Sequence, residues 1–413
     1  MATSRKKILF ISYDGMTDPL GQSQVIPYLR GLSLNGNKIF LLSCEKKVAL
    51  SQSKALVHLM LEGVDIEWIT LSYTQSPPLL STLHDIIKLK RAARKIHAKH
   101  KIDLVHTRPG IPALVGLWMK KKMGVKFLND IREFYADSRV EGGMWNIKNP
   151  LYKTIYNYFK RKENEELAQS DGIVCLTYAA RKILQKWPSF DQTIPLEVIP
   201  CSADLALFDP EKICESERAA LKNELGLGKN DFIISYLGSI GGWYLIDEMM
   251  RFCKVLSEKK PLTKFLFISP HRHEVILAAA AKFDLPSGKI ITKKASRLEV
   301  PLLLSLSNYS IFFIRPCYSK QSSSPTKHGE IMAMGIPLIT NSGVGDVESI
   351  VSKYVSGIII NEFTDAAFES ASEKILNIEN FDIAGIRRGA REFYSLESAI
   401  AKYTKIYNRI LGD

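Results

Sequence analysis

Alternating apolar runs and helical stretches predict an α/β protein made of two doubly wound, Rossmann-like domains. Three observations carry this. Short apolar runs that stop at polar or turn residues recur along the chain, the pattern of strands buried on both faces. Helical patterns lie between most of these runs, which implies crossover connections and parallel strands. The pattern then restarts near the middle, and 413 residues are too many for one ordinary core.

The first strand is KILFISYD (Lys7 to Asp14). A loop, GMTDPLGQSQ, follows, and then an amphipathic helix from about Ser23 to Asn35. KIFLLSC, VDIEWITL, LVHTR, VKFLND, GIVCLT and LEVIP are the next six strands. VIPCSADLALFDP, with Pro200 and Pro210, has the punctuation of a linker. The first domain is therefore residues 1–200 and the second 201–395. FIISYLGS (Phe232 to Ser239) restarts the pattern, and KFLFIS, KIITKK, YSIFFI, IPLITN and SGIIIN repeat it. A last helix covers about residues 396–411. Two such domains facing each other leave a central cleft at the carboxyl ends of their strands, so site residues are expected just after the strands.

No run of 18 apolar residues appears, so no spanning helix is expected. The start, MATSRKKILFIS, has no small-residue cleavage pattern and reads as no leader. Six cysteines show no CxxC and no ligand spacing with histidine, which points to a reduced cytoplasmic setting and no metal. The net charge of +13 is uneven. Residues 1–200 hold 30 of the 56 Lys+Arg and 18 of the 43 Asp+Glu, a net of +12, which leaves +1 for the rest. Basic charge on one half suits nucleic acid, anionic lipid or a phosphorylated acceptor.

The strongest constellation is SSSPTKHGEIMAMGIPLITNSGVGD (Ser322 to Asp346). A polar loop opens a helix at about Thr326, and a helix N-terminus offers N–H groups and a positive dipole end to a diphosphate. Lys327 adds a full charge. Glu330, one turn on, is placed to accept hydrogen bonds from sugar hydroxyls. Gly335-Ile336-Pro337 ends the helix. An ordinary capped loop-helix-strand unit is the plainer reading. In DGMTDPLGQSQVIPYL (Asp14 to Leu29), Gly21 with Gln22 lets the backbone approach a phosphate or sugar, or serves a plain strand-to-helix turn. In YLGSIGGWYLIDEM (Tyr236 to Met249), Gly238 and Ser239 follow the first strand of the second domain. In NDIREFYADSRVEGGMWN (Asn129 to Asn146), Asp130 and Arg132 end a buried strand, where two charges are costly without a role. His106 and Arg108 end the preceding strand in the same way.

The Ser322–Asp346 segment resembles the signature of family-4 glycosyltransferases, which have the GT-B fold and retain anomeric configuration. The resemblance runs from the first-strand loop to the C-terminal motif. Glu330, before A-M-G-I-P, matches a conserved glutamate that binds the donor ribose. The family's usual glutamate eight residues upstream is Ser322 here, and the chain resembles a branch with S-S-P-T-K-x-x-E. Ser323, Ser324, Thr326 and Lys327 are then candidates to hold the donor. The family's phosphate-binding arginine and lysine are replaced by Ser239 and Tyr244, so the phosphate charge falls to Lys327 and backbone N–H groups, with Arg272 and Arg297 behind them. The resemblance implies that Asp130 lies near the reacting sugar, orienting the donor, steadying positive charge on it or taking the acceptor proton, while His106, Arg108 and Arg132 face the acceptor. It also implies front-face attack, a final helix packed back on the first domain, and no cofactor beyond a UDP- or GDP-linked sugar. Two other readings share the fold: a nucleotide-sugar epimerase, and a non-catalytic partner of another transferase.

Three segments of the first domain combine basic with apolar or aromatic residues: His84 to Ile102, MKKKMGVK, and LYKTIYNYFKRK (Leu151 to Lys162). Such segments suit an anionic membrane surface. No nucleic-acid module is recognisable. The expectation is a cytoplasmic enzyme, peripheral on the inner face of the plasma membrane, acting on a glycan or lipid-linked acceptor.

Overall fold

The computed structural model describes residues 5–412 apart from 78, 271 and 379. Residues 1–4, part of the start read as lacking a leader, lie outside the described residues. The chain divides into two compact units, Met1–Pro200 with Leu396–Asp413, and Cys201–Ser395.

The first unit holds seven strands: β1 (Lys7–Ser12), β2 (Lys38–Glu45), β3 (Ile66–Ser72), β4 (Leu104–Thr107), β5 (Lys126–Ile131), β6 (Gly172–Cys175) and β7 (Leu196–Val198). They pair in the order β3-β2-β1-β4-β5-β6-β7, all parallel. Alternate residues serve opposite cores. Ile8, Phe10, Ile39 and Leu41 join one apolar cluster, while Leu9, Ile11, Phe40 and Leu42 join another. Burial on both faces explains why these strands read as continuous apolar runs. The final helix, Leu396–Leu411, belongs to this unit: Ala399, Tyr403, Ile406, Tyr407 and Ile410 fill the first cluster.

The second unit has β8 (Phe232–Leu237), β9 (Thr263–Ile268), β10 (Ile290–Lys293), β11 (Tyr309–Phe312), β12 (Leu338–Asn341) and β13 (Gly357–Ile360). The order is β10-β9-β8-β11-β12-β13, again all parallel. In both units the order reverses beside the first strand, the switch point where open α/β sheets place ligands.

One expectation needs correction. The helix from about Ser23 to Asn35 is two helices, Pro19–Gln24 and Ile26–Leu34, broken at Val25, whose φ/ψ of −126°/−63° is not helical. Pro27 lies at the start of the second helix. It has no N–H to continue the ladder from the preceding turn, and a proline at the start of a helix leaves no bond unmade.

Candidate functional site

In the second unit the expected residues gather at the carboxyl ends of β8 and β11 and on the helix Thr326–Ala333. That helix is short, opens after Pro325, and no side chain caps it. Lys327 and Glu330 lie on it and are both buried. Glu330 Oε1 accepts from Arg297 Nη1 at 2.9 Å. Burial pushes the Glu330 carboxyl up, and the opposing charges of Arg297 and Lys327 offset this only in part. Arg297 also stacks over Phe208, 5.3 Å from the ring centroid. It is therefore a partner of the glutamate.

Lys327 Nζ sits among three rings: 3.8 Å from the centroid of Tyr244, 4.4 Å from Tyr236 and 5.9 Å from Phe312. The β8 turn closes over it. Gly238 has φ 121°, and a Cβ there would come within 2.7 Å of Nζ, so glycine meets both a backbone and a space requirement. Ser239 is exposed, and its carbonyl accepts from Tyr236 Oη at 2.6 Å. Ser322, where the family's glutamate is absent, is buried and donates to Ser319 O at 2.7 Å, closing a tight turn. Ser324 Oγ accepts from Cys201 N at 3.2 Å. Ser323 and Thr326 are half-buried along the loop and helix start. Arg272 donates to Ile240 O at 3.4 Å, beside Gly241. Sequence reasoning missed Trp243, flanked by Lys320 Nζ at 3.7 Å and by the Arg315 guanidinium at 4.8 Å. The aromatic and the cations stand 72 or more residues apart, and no local pattern links them.

In the first unit the strand-end charges form one buried network. Asp130 Oδ2 accepts from Tyr403 Oη at 2.8 Å and lies 3.4 Å from His106 Nε2 and 3.6 Å from Arg132 Nη1. Arg132 also donates to Tyr403 Oη, 3.2 Å away. His106 Nδ1 is 2.8 Å from Tyr407 Oη. Burial keeps the His106 ring from charging, against the pull of Asp130. A neutral ring donating Nε2–H to Asp130 and accepting the Tyr407 proton at Nδ1 satisfies both bonds. Burial pushes the Asp130 carboxyl up, but Arg132, His106 and Arg108 outweigh it and lower the pKa to about 2. Such a group is a poor proton acceptor at neutral pH. Arg108 donates to Gln24 O through Nη2. Asp130 Oδ1 and Arg108 Nε have no partner among the described residues.

Gly21 and Gln22 sit on the helix Pro19–Gln24. Gly21 is buried, and a Cβ there would run into Gly15 O and the Met16 Cα, so its bare backbone serves packing against the preceding loop. Gln22 donates to Thr17 O at 3.3 Å. Glu45, which sequence reasoning overlooked, holds that loop. Its carboxylate accepts from Met16 N (2.7 Å), Thr17 N (3.3 Å), Thr17 Oγ1 (2.6 Å) and Ser43 Oγ (2.5 Å) while almost fully buried. An acidic residue closing the apolar run KIFLLSC was the available signal.

The basic segments are partly neutralised. Lys88 pairs with Asp85, Lys120 with Asp171, Lys121 with Glu165, and Lys160 with Asp137 and Glu163. Leu80, Leu83 and Ile87 on the helix Leu80–His100, Met144 and Ile147 in the segment before Pro150–Gln169, and Leu151 in its first turn are exposed. Among the described residues no helix is long and apolar enough to cross a membrane.

Residues 217–390 match the family of group 1 glycosyl transferases. The matched stretch lies in the second unit and contains the Ser322–Glu330 segment. Solved structures resemble the whole chain. A glycosyltransferase from Rickettsia africae is 18% identical, with a TM-score of 0.73 and 99% of each chain covered. Sucrose-phosphate synthase from Thermosynechococcus elongatus is 16% identical, with a TM-score of 0.74, covering 99% of this chain and 100% of its own. The Anabaena protein HepE, in complex with UDP and glucose, is 12% identical, with a TM-score of 0.71, covering 98% and 100%. At these identities the likeness establishes the fold, two Rossmann-like α/β domains of the GT-B class. No curated protein matches the chain in sequence.

Proposed function

We propose that this chain is a retaining glycosyltransferase that moves a sugar from a UDP- or GDP-linked donor to a glycan or lipid-linked acceptor in the assembly of a cell-surface glycan. The observation that carries the reading is the buried pair Lys327 and Glu330 on the uncapped helix Thr326–Ala333, inside the stretch that matches the group 1 glycosyl transferases. The helix N-terminus and Lys327 meet the diphosphate and steady its charge as it leaves. Glu330, its carboxylate oriented by Arg297, accepts from hydroxyls of the donor. The UDP and glucose bound by HepE, a protein of the same fold, support a nucleotide-sugar donor.

A peripheral membrane role is part of this reading. Exposed leucine and isoleucine side chains near the starts of two helices, with cations such as Arg91, Arg94 and Lys95 further along one of them, suit an anionic lipid surface. Each basic residue near such a surface contributes about 1 kcal/mol.

The test is a thermal-shift screen of the protein against UDP-, GDP-, ADP- and CMP-sugars. One nucleotide should stabilise selectively, by about 2.7 kcal/mol at 100 times its dissociation constant. Glu330→Ala should weaken binding of that donor at least about tenfold, a loss of about 1.4 kcal/mol, with the fold intact. Undiminished donor affinity in Glu330→Ala would sink the assignment.

A further inference from the structure

Lys327 carries its charge in an unusual place. Its Nζ is buried inside the cage of Tyr244, Tyr236 and Phe312, under the Gly238 turn. Its hydrogen bond among the described residues is to Tyr236 Oη at 3.3 Å, and the proton of that hydroxyl is already given to Ser239 O. The phenol therefore turns a lone pair toward the amine and links it to the turn. The rings attract an ammonium by cation–π contact, but among the described residues no carboxylate pairs with Nζ, so part of the cost of burying its charge is left uncompensated. The titratable groups around it are few. Glu330 lies on the same helix, with its carboxylate turned to Arg297. Tyr236 and Tyr244 come from β8 and the turn after it, and burial raises both phenols, Tyr244 to about 12. Cys201 lies near Tyr244. Burial lowers the Lys327 ammonium to about 7, with Glu330 opposing.

We infer that Tyr236 and Tyr244 position Lys327 as a cation that becomes fully charged only when the diphosphate of a nucleotide donor arrives, so that donor binding takes up a proton from solvent at Nζ. The inference rests on the donor reading above. In the empty site, burial without a carboxylate partner disfavours the charged form of the amine. A diphosphate supplies the missing counter-charge and returns the ammonium toward its ordinary range. The sign follows. Below pH 7 both free and bound proteins hold the proton and affinity is flat. Above it the free protein has lost the proton and must regain it, so affinity falls as pH rises.

The experiment is calorimetric titration of the full chain with UDP-glucose and with GDP-mannose between about pH 6 and pH 9, in two buffers of different ionisation enthalpy. The pyrophosphate of these sugars does not titrate in that range, and their uracil and guanine N–H groups ionise only toward its upper end, so pH dependence around neutral pH belongs to the protein. The expected result is affinity falling about tenfold per pH unit above about pH 7, with close to one proton taken up per site at about pH 8. Lys327→Met should flatten the profile and abolish the uptake. Tyr244→Leu, which admits water to the cage, should move the break upward by about one pH unit, and Tyr244→Phe should restore it. If Lys327→Met does not fold, the Leu and Phe pair at position 244 makes the same discrimination. Intact donor binding with a flat profile and no proton uptake overturns the inference and leaves the donor reading standing. Failure of both sugars to bind at every pH overturns both.

Discussion

Tyr403→Phe removes one hydroxyl from the final helix and leaves the ring. In the folded protein that hydroxyl gives its proton to Asp130 Oδ2 at 2.8 Å and receives one from Arg132 at 3.2 Å. The acceptor is a buried carboxylate whose other oxygen has no partner among the described residues, so the lost bond is not replaced. A hydrogen bond to a charged group contributes about 1.5 to 3 kcal/mol. For a unit of this size, 1 kcal/mol moves the melting temperature by roughly 2 to 4 °C, which gives a drop of about 3 to 12 °C at pH 7. Tyr407→Phe is the internal comparison. Its hydroxyl meets His106, which burial keeps neutral, so about 0.5 to 1.5 kcal/mol is at stake. Differential scanning calorimetry of the two variants should rank Tyr403→Phe as the more costly. The pH dependence follows from Asp130, whose carboxyl is held down at about 2. Its contribution is fully present above the unfolded value of about 3.9 and is lost as pH falls toward 2. The gap between wild type and Tyr403→Phe should therefore hold from pH 7 down to about pH 4 and narrow below it. Equal melting temperatures at pH 7, or a larger penalty for Tyr407→Phe, would refute the claim that a buried ionised Asp130 anchors the final helix.

Glu45→Gln should destabilise the first unit by about 2 to 4 kcal/mol, read as a lower denaturation midpoint, because an amide nitrogen would face donors from Met16, Thr17 or Ser43; a midpoint within error of wild type would remove Glu45 as the support of that loop. Replacing Leu80, Leu83 and Ile87 together by Ser should weaken sedimentation with phosphatidylglycerol vesicles at least about tenfold while melting stays unchanged, and wild-type binding should fall as salt rises; equal binding to neutral phosphatidylcholine vesicles would refute the electrostatic part.

Much of the protein was legible in its residues. KILFIS and KIFLLS read as strands because neighbouring side chains enter opposite cores, so apolar residues follow one another without alternation. The intervening helices dictate crossovers, and crossovers dictate parallel sheets. The helix at Thr326 and its end near Gly335 follow from local chemistry that acts within a few residues.

Tertiary structure decided everything that depends on partners distant in sequence. Asp130 and Tyr403 are 273 positions apart, and His106 and Tyr407 are 301, so nothing near the strand ends announces that their side chains are hydrogen-bonded by the last helix. Lys327 reads as an open cation at a helix start, yet Tyr236, 91 positions away on β8, helps wrap it in rings, and burial lowers the pKa of its ammonium. Gly21 reads as a glycine of a phosphate loop or of a plain turn, and nothing in its sequence neighbourhood shows that the backbone of Gly15 and Met16 fills its empty side. The physical reason is the same in each case. Hydrophobic period and turn chemistry are local and survive in one dimension, whereas desolvation, ion pairing and steric closeness exist only after the chain has brought distant residues together.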